Sequence, residues 1–230
     1  MKIFLMVALM LGSTTNAVAG SESALVFGGT GRLGAPIVRQ LADAGYQVTV
    51  FVRPASDRSR LSGLDVTYVT GDLTDADSVT RAIDGRPFRF VIDASAGRLA
   101  QPGFYSTAMR NMLAALAGSA VQQFILHGSV GAGDNVKHFP EVPFGRMLAT
   151  LQDKGEAEAL LKASSIPYTI IRNGRVLADG TPATGSGRLT EDDSVLASIT
   201  RPDLAMLTMR CLANPDCLGK TYHAVDDSLR

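Results

Sequence analysis

Apolar runs and helical patterns alternate along the chain after residue 23. Short runs rich in valine, isoleucine and phenylalanine predict buried strands, whereas Leu33, Ile37 and Leu41 recur at the spacing of one helix face. The predicted strands are 24–28, 47–53, 65–70, 89–94, 122–128, 168–172 and 220–225, and the predicted helices lie near 32–44, 75–84, 104–118, 144–164 and 203–213. This alternation predicts an α/β fold of the Rossmann type, a single domain with a doubly wound parallel sheet and helices on both faces.

One long stretch, residues 173–200, has no convincing periodic pattern and is rich in glycine, threonine, aspartate and arginine. It follows the carboxyl end of the sixth predicted strand. Ligands of open α/β sheets bind beyond such strand ends. We therefore expect this stretch to shape a substrate pocket.

The first twenty residues have the order of a secretory signal peptide. Lys2 precedes nine apolar residues, Ile3 to Leu11, and a polar stretch then leads to Ala17-Val18-Ala19-Gly20. The apolar run is shorter than the roughly 20 residues that span a bilayer, so no stable membrane span is expected. We expect residues 1–19 to be removed and residues 20–230 to form an exported domain, periplasmic or secreted. A cytoplasmic protein with an uncleaved apolar extension is the alternative.

Composition narrows the classes of partner. The chain has 230 residues, 46% of them hydrophobic, with 22 basic and 22 acidic side chains and a formal net charge of zero. Because the chain has no net charge to attract polyanions, neither nucleic acid nor anionic lipid is an expected partner. The three histidines are scattered, so no metal site is expected.

The two cysteines, Cys211 and Cys217, lie six positions apart near the end of the last predicted helix. An oxidising compartment would favour a disulfide between them, provided that the turn brings their Cα atoms close enough. Two free thiols are the alternative.

A glycine-rich turn, Gly28-Gly29-Thr30-Gly31-Arg32-Leu33-Gly34, joins the first predicted strand to the first predicted helix. In a dinucleotide site the first glycine permits the tight turn, the second lets backbone amides approach the pyrophosphate, and the third lets the helix pack closely on the strand. The phosphates then lie at the positive end of a helix. The predicted cofactor-binding residues in this turn are Gly28, Thr30, Gly31, Arg32, Leu33 and Gly34.

Arg53 lies at the end of the second predicted strand, where an acidic residue would accept hydrogen bonds from the ribose 2′-hydroxyl of NAD. A guanidinium offers charge-assisted contacts to a 2′-phosphate instead, and Arg32, Ser56 and Arg58 are placed to join it. The sequence therefore favours NADP over NAD.

Other strand ends supply further candidates. Asp72 and Leu73 follow the third strand, where a carboxylate can accept from the adenine amino group. The small residues Ala94 and Ser95 follow the fourth strand and leave room for a flat ring and a ribose. Ser129, after the fifth strand, presents a hydroxyl near the same edge.

Together these motifs resemble the atypical short-chain dehydrogenase/reductase family, in particular its NAD(P)H-binding, NmrA-like branch. The glycine turn, Arg53 and Gly71-Asp72-Leu73 agree with that branch in order. The later segments 154–174 and 199–205 are similar to its helix-strand hallmark and to the start of its last helix. The resemblance covers about residues 23–226 and implies a nicotinamide dinucleotide as cofactor.

The resemblance also implies site residues and shows three departures, one of which is Ser165, where the family often has glycine. It implies that Lys154 binds the nicotinamide ribose. The family commonly has a proton-donating tyrosine four residues before this lysine, but Thr150 stands there, and a threonine hydroxyl is a poor acid at neutral pH. Asn173 stands where the family often has proline.

The expected function is therefore an NADPH-dependent reductase of a small aromatic or conjugated acceptor, such as a quinone or flavin, which can take its proton from water. Ser129 and Lys154 are the candidate catalytic residues, and His138 and Tyr105 are further candidates for the pocket. A non-catalytic NADP-binding sensor or assembly protein is the alternative, which the absence of the tyrosine suits. A sugar-nucleotide epimerase fits less well, because it needs that tyrosine.

Overall fold

Continuous apolar runs form the central strands, because helices cover both faces of the sheet and leave neither face exposed to solvent. All four residues of Phe90–Asp93 and five of the six residues of Gln47–Val52 are buried. The computed structural model describes residues 22–97 and 103–229, and the expected signal peptide lies outside the described residues. The strands are β1 (Ser23–Phe27), β2 (Gln47–Val52), β3 (Thr67–Thr70), β4 (Phe90–Asp93), β5 (Gln123–Ser129), β6 (Tyr168–Asn173), β7 (Arg175–Val176), β8 (Arg188–Thr190), β9 (Ser198–Ile199) and β10 (Lys220–Val225).

The helices connect and cover these strands. They are α1 (Gly34–Asp43), α2 (Ala76–Ile83), α3 (Phe104–Leu116), α4 (Leu148–Ala163) and α5 (Arg201–Cys211). Within residues 22–97 and 103–229, no helix combines the length and the hydropathy that crossing a membrane requires.

Eight strands form the main sheet, in the order β3-β2-β1-β4-β5-β6-β10-β8. All neighbours are parallel except β10 and β8, which are antiparallel. The strand order reverses between β1 and β4, which creates the crevice in which doubly wound sheets bind their ligands. The predicted α/β fold with a doubly wound, mainly parallel sheet is confirmed.

Two apolar clusters cover the two faces of the sheet. One contains Ile37 and Leu41 of α1 with Leu204 of α5. The other contains Val79 of α2 and Met112 of α3. These four helices therefore bury apolar side chains against the strands, and for α1 and α2 the spacing of apolar residues along the helix predicts this.

The expectation that residues 173–200 contain no regular element is wrong. The segment contains β7, β8 and β9, of which β7 pairs with β9 and β8 extends the main sheet at its edge. Strands of two or three residues are too short to show an alternating pattern, and their pairing depends on partners distant in sequence. The long predicted helix is also shorter than expected, because residues 145–147 form a 3₁₀ turn before α4 begins.

Cys211 and Cys217 form a disulfide in the structure, with their Cα atoms 5.5 Å apart. Cys211 is the last residue of α5, and Cys217 ends the 3₁₀ turn Pro215–Cys217. Of the two alternatives that the sequence left open, the structure has the bonded pair.

Candidate functional site

A cavity of about 410 Å³ opens at the carboxyl ends of the parallel strands. It is bordered by Gly28, Thr30, Gly31, Arg32, Leu33, Phe51, Arg53, Ser56, Asp72, Leu73, Ala94, Ser95, Ala96, Phe104, His127, Lys154, Asn173, Val176 and Arg201. Of the predicted site residues, all but Gly34 and Ser129 border it. The cavity therefore lies where the glycine turn and the strand ends predict a ligand.

The glycine turn sets the shape of one wall. Gly28 has a φ of +71°, and a Cβ atom there would lie 2.6 Å from the carbonyl oxygen of Ala94. A Cβ atom on Gly34 would lie 2.2 Å from the carbonyl oxygen of Gly28. Gly34 thus lets α1 pack against the turn and does not itself face the cavity.

The amino end of α1 is open for an anion. Its N-cap residue, Leu33, makes no capping hydrogen bond, and its first turn contains no acidic residue. The Ala35 amide donates to the Gly31 carbonyl oxygen at 2.9 Å and Pro36 has no amide hydrogen, but the backbone amides of Arg32 and Leu33, in the turn before the helix, have no hydrogen-bond partner among the described residues. They lie at the positive end of the helix dipole. A pyrophosphate would supply both the acceptors and the negative charge.

Arg53 lies at the rim of the cavity, in a turn closed by Ser56. The Arg53 backbone amide donates to Ser56 Oγ at 3.1 Å, and among the described residues no carboxylate pairs with the Arg53 guanidinium. Arg58 does not join this group as expected, because its guanidinium lies 4.5 Å from the centre of the Tyr68 ring, outside the cavity. Arg53 is therefore free to bind an anionic group.

Asp72 already has local partners. Its Oδ1 accepts from the backbone amide and the hydroxyl of Thr74, at 2.8 and 2.7 Å. Asp75 caps the following helix by accepting from the backbone amide of Asp77. The loop that contains Asp72 and Leu73 is thus held in shape at the cavity wall before any ligand arrives.

Ser95 carries a buried polar atom at the cavity wall that is placed to bind a ligand. Its backbone amide donates to Asp93 Oδ1 at 2.8 Å, but its buried Oγ has no hydrogen-bond partner in the described part of the chain. Burial raises the pKa of the Asp93 carboxyl, against the hydrogen bond from the Ser95 backbone amide. Because buried hydroxyls are normally satisfied, a ligand hydroxyl at this wall would complete the site.

Lys154 and Ser129 meet near the end of the cavity opposite Arg53. Lys154 Nζ donates to Ser129 Oγ at 2.8 Å and lies 4.8 Å from the centre of the Tyr105 ring. Burial lowers the pKa of Lys154, while the nearby Asp93 and Glu158 carboxyls raise it. The ammonium group is thus held between a hydroxyl and an aromatic face.

Three contacts fix α4, and with it Lys154. Asp153 accepts from the backbone amides of Tyr105 and Ser106 at 2.9 and 3.0 Å and so caps α3. Glu158 pairs with Arg172 of β6 at 2.7 Å, both largely buried. Gly155 lets α4 approach the loop after β5, since a Cβ atom there would lie 2.2 Å from the Cα atom of Gly133.

Other candidates lie away from the cavity. His138 Nδ1 lies 3.0 Å from Asp193 Oδ1 and does not border it. Tyr105 does not border the cavity: its hydroxyl accepts from the Gly97 backbone amide at 3.1 Å, and its ring contacts Lys154. Thr150 is half-buried and does not border the cavity either.

Sequence reasoning missed the roles of His127, Asn173 and Arg201, all of which border the cavity. His127 and Ser129 are two residues apart in β5, so their side chains lie on the same side of the sheet. The alternation of side chains along a strand could therefore have identified His127. Asn173 is the last residue of β6, paired with Ser129. Arg201 begins α5 and adds a fourth basic residue to the cavity, against one acidic residue, Asp72.

Comparison with known proteins agrees with this geometry. A sequence model of the NAD(P)H-binding family matches residues 28–215, which include the glycine turn and most of the cavity wall. The chain belongs to this NAD(P)H-binding family, and the resemblance to atypical short-chain dehydrogenases is confirmed. The donors along the cavity fit a nicotinamide dinucleotide: the Arg32 and Leu33 backbone amides for its phosphates, and for a ribose the Ser95 hydroxyl, which has no partner in the described part of the chain.

Among individual proteins, the chain is 29% identical over 214 residues to the photosystem II assembly factor Ycf39 of Cyanophora paradoxa, covering 88% of this chain and 63% of that protein. It is 27% identical over 212 residues to quinone oxidoreductase 2 of Escherichia coli K12, covering 88% of this chain and 68% of that protein. The structure of ChuY, an anaerobilin reductase from Escherichia coli O157:H7, superposes with a TM-score of 0.78 at 24% identity, covering 90% of this chain and 98% of that one.

Proposed function

We propose that this protein is an NADPH-dependent reductase whose substrate is a small aromatic or conjugated acceptor, such as a quinone or a flavin. The observation that carries the proposal is the contact between Lys154 Nζ and Ser129 Oγ at 2.8 Å, beside the end of the cavity opposite Arg53. It gives the site a positioned hydroxyl and a cation, but no strong acid. Such a site suits an acceptor whose reduced form needs no protonation by a strong acid.

Each part of the cavity wall has a role in holding the cofactor. Arg53 binds the 2′-phosphate, and the Arg32 and Leu33 backbone amides, in the turn before α1, bind the pyrophosphate. Ser95 Oγ and Lys154 Nζ bind ribose hydroxyls near the nicotinamide, and Asp72 and Leu73 border the adenine. These contacts favour NADPH over NADH, because only NADPH has a 2′-phosphate that Arg53 can bind.

The cofactor, when bound, would supply a hydride, and the chain's own residues position the acceptor. A quinone becomes a hydroquinone when it gains one hydride and one proton, while the nicotinamide is oxidised. Bulk water supplies that proton, and Ser129 Oγ accepts a hydrogen bond from Lys154 Nζ beside the end of the cavity, which fixes the position of the ammonium group. Phe104 and Val176 border the same cavity and keep water from the transfer.

The quinone oxidoreductase among the relatives supports this class of acceptor. A second candidate, a non-catalytic NADP-binding protein that assists assembly of a partner, is favoured by the position of Thr150 outside the cavity and by the photosystem II assembly factor among the relatives.

Oxidation of NADPH in the presence of quinones, flavins and carbonyl compounds separates the two. A reductase gives acceptor-dependent loss of NADPH that falls in Lys154→Ala, chiefly through weaker cofactor binding, and persists in Thr150→Ala. NADPH that binds but stays reduced with every acceptor would support the assembly function instead.

A further inference from the structure

Three polar side chains connect α5 to the cavity wall through a buried histidine. His127 Nε2 lies 2.9 Å from Thr208 Oγ1, and His127 Nδ1 lies 3.3 Å from Asn173 Oδ1. Thr208 Oγ1 in turn donates to the carbonyl oxygen of Leu204 at 2.7 Å. His127 and Thr208 are 6% and 1% exposed, whereas Asn173 reaches the cavity.

Counting protons fixes which nitrogen of His127 carries hydrogen. Thr208 has one hydroxyl proton, and it goes to the Leu204 carbonyl one turn earlier, a common bond for helical threonine. Thr208 Oγ1 can then only accept from His127, so the proton of the neutral ring is on Nε2. Burial lowers the pKa of His127 to about 4, so the ring is neutral at pH 7. The opposite arrangement, in which Thr208 donates to Nε2, makes one hydrogen bond fewer.

This tautomer decides the orientation of the Asn173 amide. Nδ1 of His127 then presents a lone pair, which would face the lone pairs of Asn173 Oδ1 at 3.3 Å. A half-turn of the amide about its last bond exchanges oxygen for nitrogen, so that Asn173 Nδ2 donates to His127 Nδ1. Such amide orientations follow from the hydrogen-bond network. The Asn173 oxygen is thereby turned away from His127 and toward the cavity.

The place of Asn173 in the sheet indicates which part of a dinucleotide it meets. Asn173 pairs with Ser129, the residue bonded to Lys154. Its strand, β6, is four places from β2, at whose end Arg53 lies, which corresponds to about 19 Å at the usual spacing of strands. If Arg53 binds the adenosine phosphate, the nicotinamide is the ring at this end, and its carboxamide carries an N–H donor.

We propose that Asn173, held by His127 and Thr208, accepts a hydrogen bond from the carboxamide nitrogen of the nicotinamide and so makes the site select for the amide. Thr208 and His127 are positioning residues. The carboxamide role rests on the proposed placement of the nicotinamide, whereas the orientation of Asn173 is a property of the protein alone.

The first test is nitrogen NMR of the ligand-free protein labelled in histidine and asparagine. We expect His127 to be protonated on Nε2 and unprotonated on Nδ1, with the Asn173 amide nitrogen coupled to Nδ1 across the hydrogen bond. A proton on Nδ1 would overturn the inferred orientation, whatever the protein binds.

The second test compares the affinities of NADP⁺ and of its 3-acetylpyridine analogue, which has a methyl group in place of the amide nitrogen. The parent protein should bind NADP⁺ about three- to tenfold more tightly, the worth of one hydrogen bond. Thr208→Val removes the acceptor of His127 Nε2 and should bring the ratio close to one. Thr67→Val, an exposed strand threonine at the far side of the sheet, should leave the ratio unchanged.

The outcomes separate this inference from the proposed function. Equal affinity of the parent for the two nucleotides overturns only the carboxamide role. Failure of both nucleotides to bind overturns that role and the proposed function together. A ratio that persists in Thr208→Val overturns the positioning by Thr208 and His127.

Discussion

We propose that the choice between NADPH and NADH depends on Arg53. Its guanidinium has no carboxylate partner in the described part of the chain and lies at the rim of the cavity. Arg53→Ala should weaken NADPH binding by about tenfold or more, the usual worth of a charge-assisted contact, and change NADH binding much less.

Arg58→Ala is the matched control, because this arginine stacks on Tyr68 outside the cavity. It should leave both affinities near those of the parent. Fluorescence titration with both cofactors measures the ratio. If Arg53→Ala changes NADPH and NADH binding equally, Arg53 does not bind the 2′-phosphate.

Residues whose role follows from their place in a local motif could be predicted from the sequence. Gly28, Gly34 and Arg53 belong to a strand, a turn and a helix that are adjacent in the chain, so spacing alone places them. Asn173 and His127 could not be assigned in this way. Their contact depends on the register of β5 against β6, which brings together residues 46 positions apart.

At the scale of elements, α4 is joined to β6 by the ion pair between Glu158 and Arg172, whose side chains are 3% and 11% exposed. Removing one partner of such a pair leaves the other charge buried and unpaired. Glu158→Ala should therefore lower the free energy of unfolding by about 3–5 kcal/mol, and Glu158→Gln, which can still accept from Arg172, by less.

Glu156→Ala on the same helix is the control, since Glu156 pairs with Arg110 where both side chains are about half exposed. An exposed pair contributes about 0–1 kcal/mol. Urea denaturation of the three variants measures the differences. Equal losses in Glu156→Ala and Glu158→Ala would show that the buried pair does not anchor α4.

The beginning of α5 holds the segment after β6 in place through Asp203. Asp203 is 1% exposed and accepts from the backbone amides of Thr184 and Gly185 at 2.9 and 3.0 Å and from Thr200 Oγ1 at 2.6 Å. Burial raises the pKa of its carboxyl, but the hydrogen bonds from Thr200, Thr184 and Gly185 outweigh this effect, and the pKa lies below its usual value.

This lowered pKa predicts how stability depends on pH. A carboxyl with a lower pKa in the folded protein stabilises it above the unfolded pKa of about 3.9, and the contribution is lost as pH falls through the folded pKa. Asn does not titrate, so the stability advantage of the parent over Asp203→Asn should be full near pH 6 and shrink below about pH 4. Urea denaturation near pH 6 and below about pH 4 measures this difference in stability. A difference that does not change with pH would contradict the lowered pKa of Asp203.

For the whole molecule, the alternation of apolar runs and helical patterns predicted the sheet and its helices, because each strand of the parallel core is a continuous apolar segment. The edge of the sheet could not be predicted. β8 has three residues, and its antiparallel pairing with β10 depends on the path of the preceding segment. The ion pair between Glu158 and Arg172 could not be predicted either, because it forms only when α4 packs on β6.

The location of the protein is a separate prediction. We propose that residues 1–19 are removed on export, so that the mature chain begins at Gly20 and contains the bonded cysteine pair. Mass spectrometry and a thiol count on protein from separate cell fractions test this. We expect an exported chain with no reactive thiol, whereas an intact Met1 in the cytosolic fraction would refute export.

We propose that the cavity at the carboxyl ends of the strands binds NADPH. Calorimetric titration of NADPH into the parent and into Thr30→Glu tests it most directly, because Thr30 borders the cavity in the turn that would hold the pyrophosphate. A carboxylate there would repel the phosphates, so one NADPH should bind each parent chain and Thr30→Glu should bind at least about tenfold more weakly. No binding to the parent, or equal binding to both proteins, would contradict the claim.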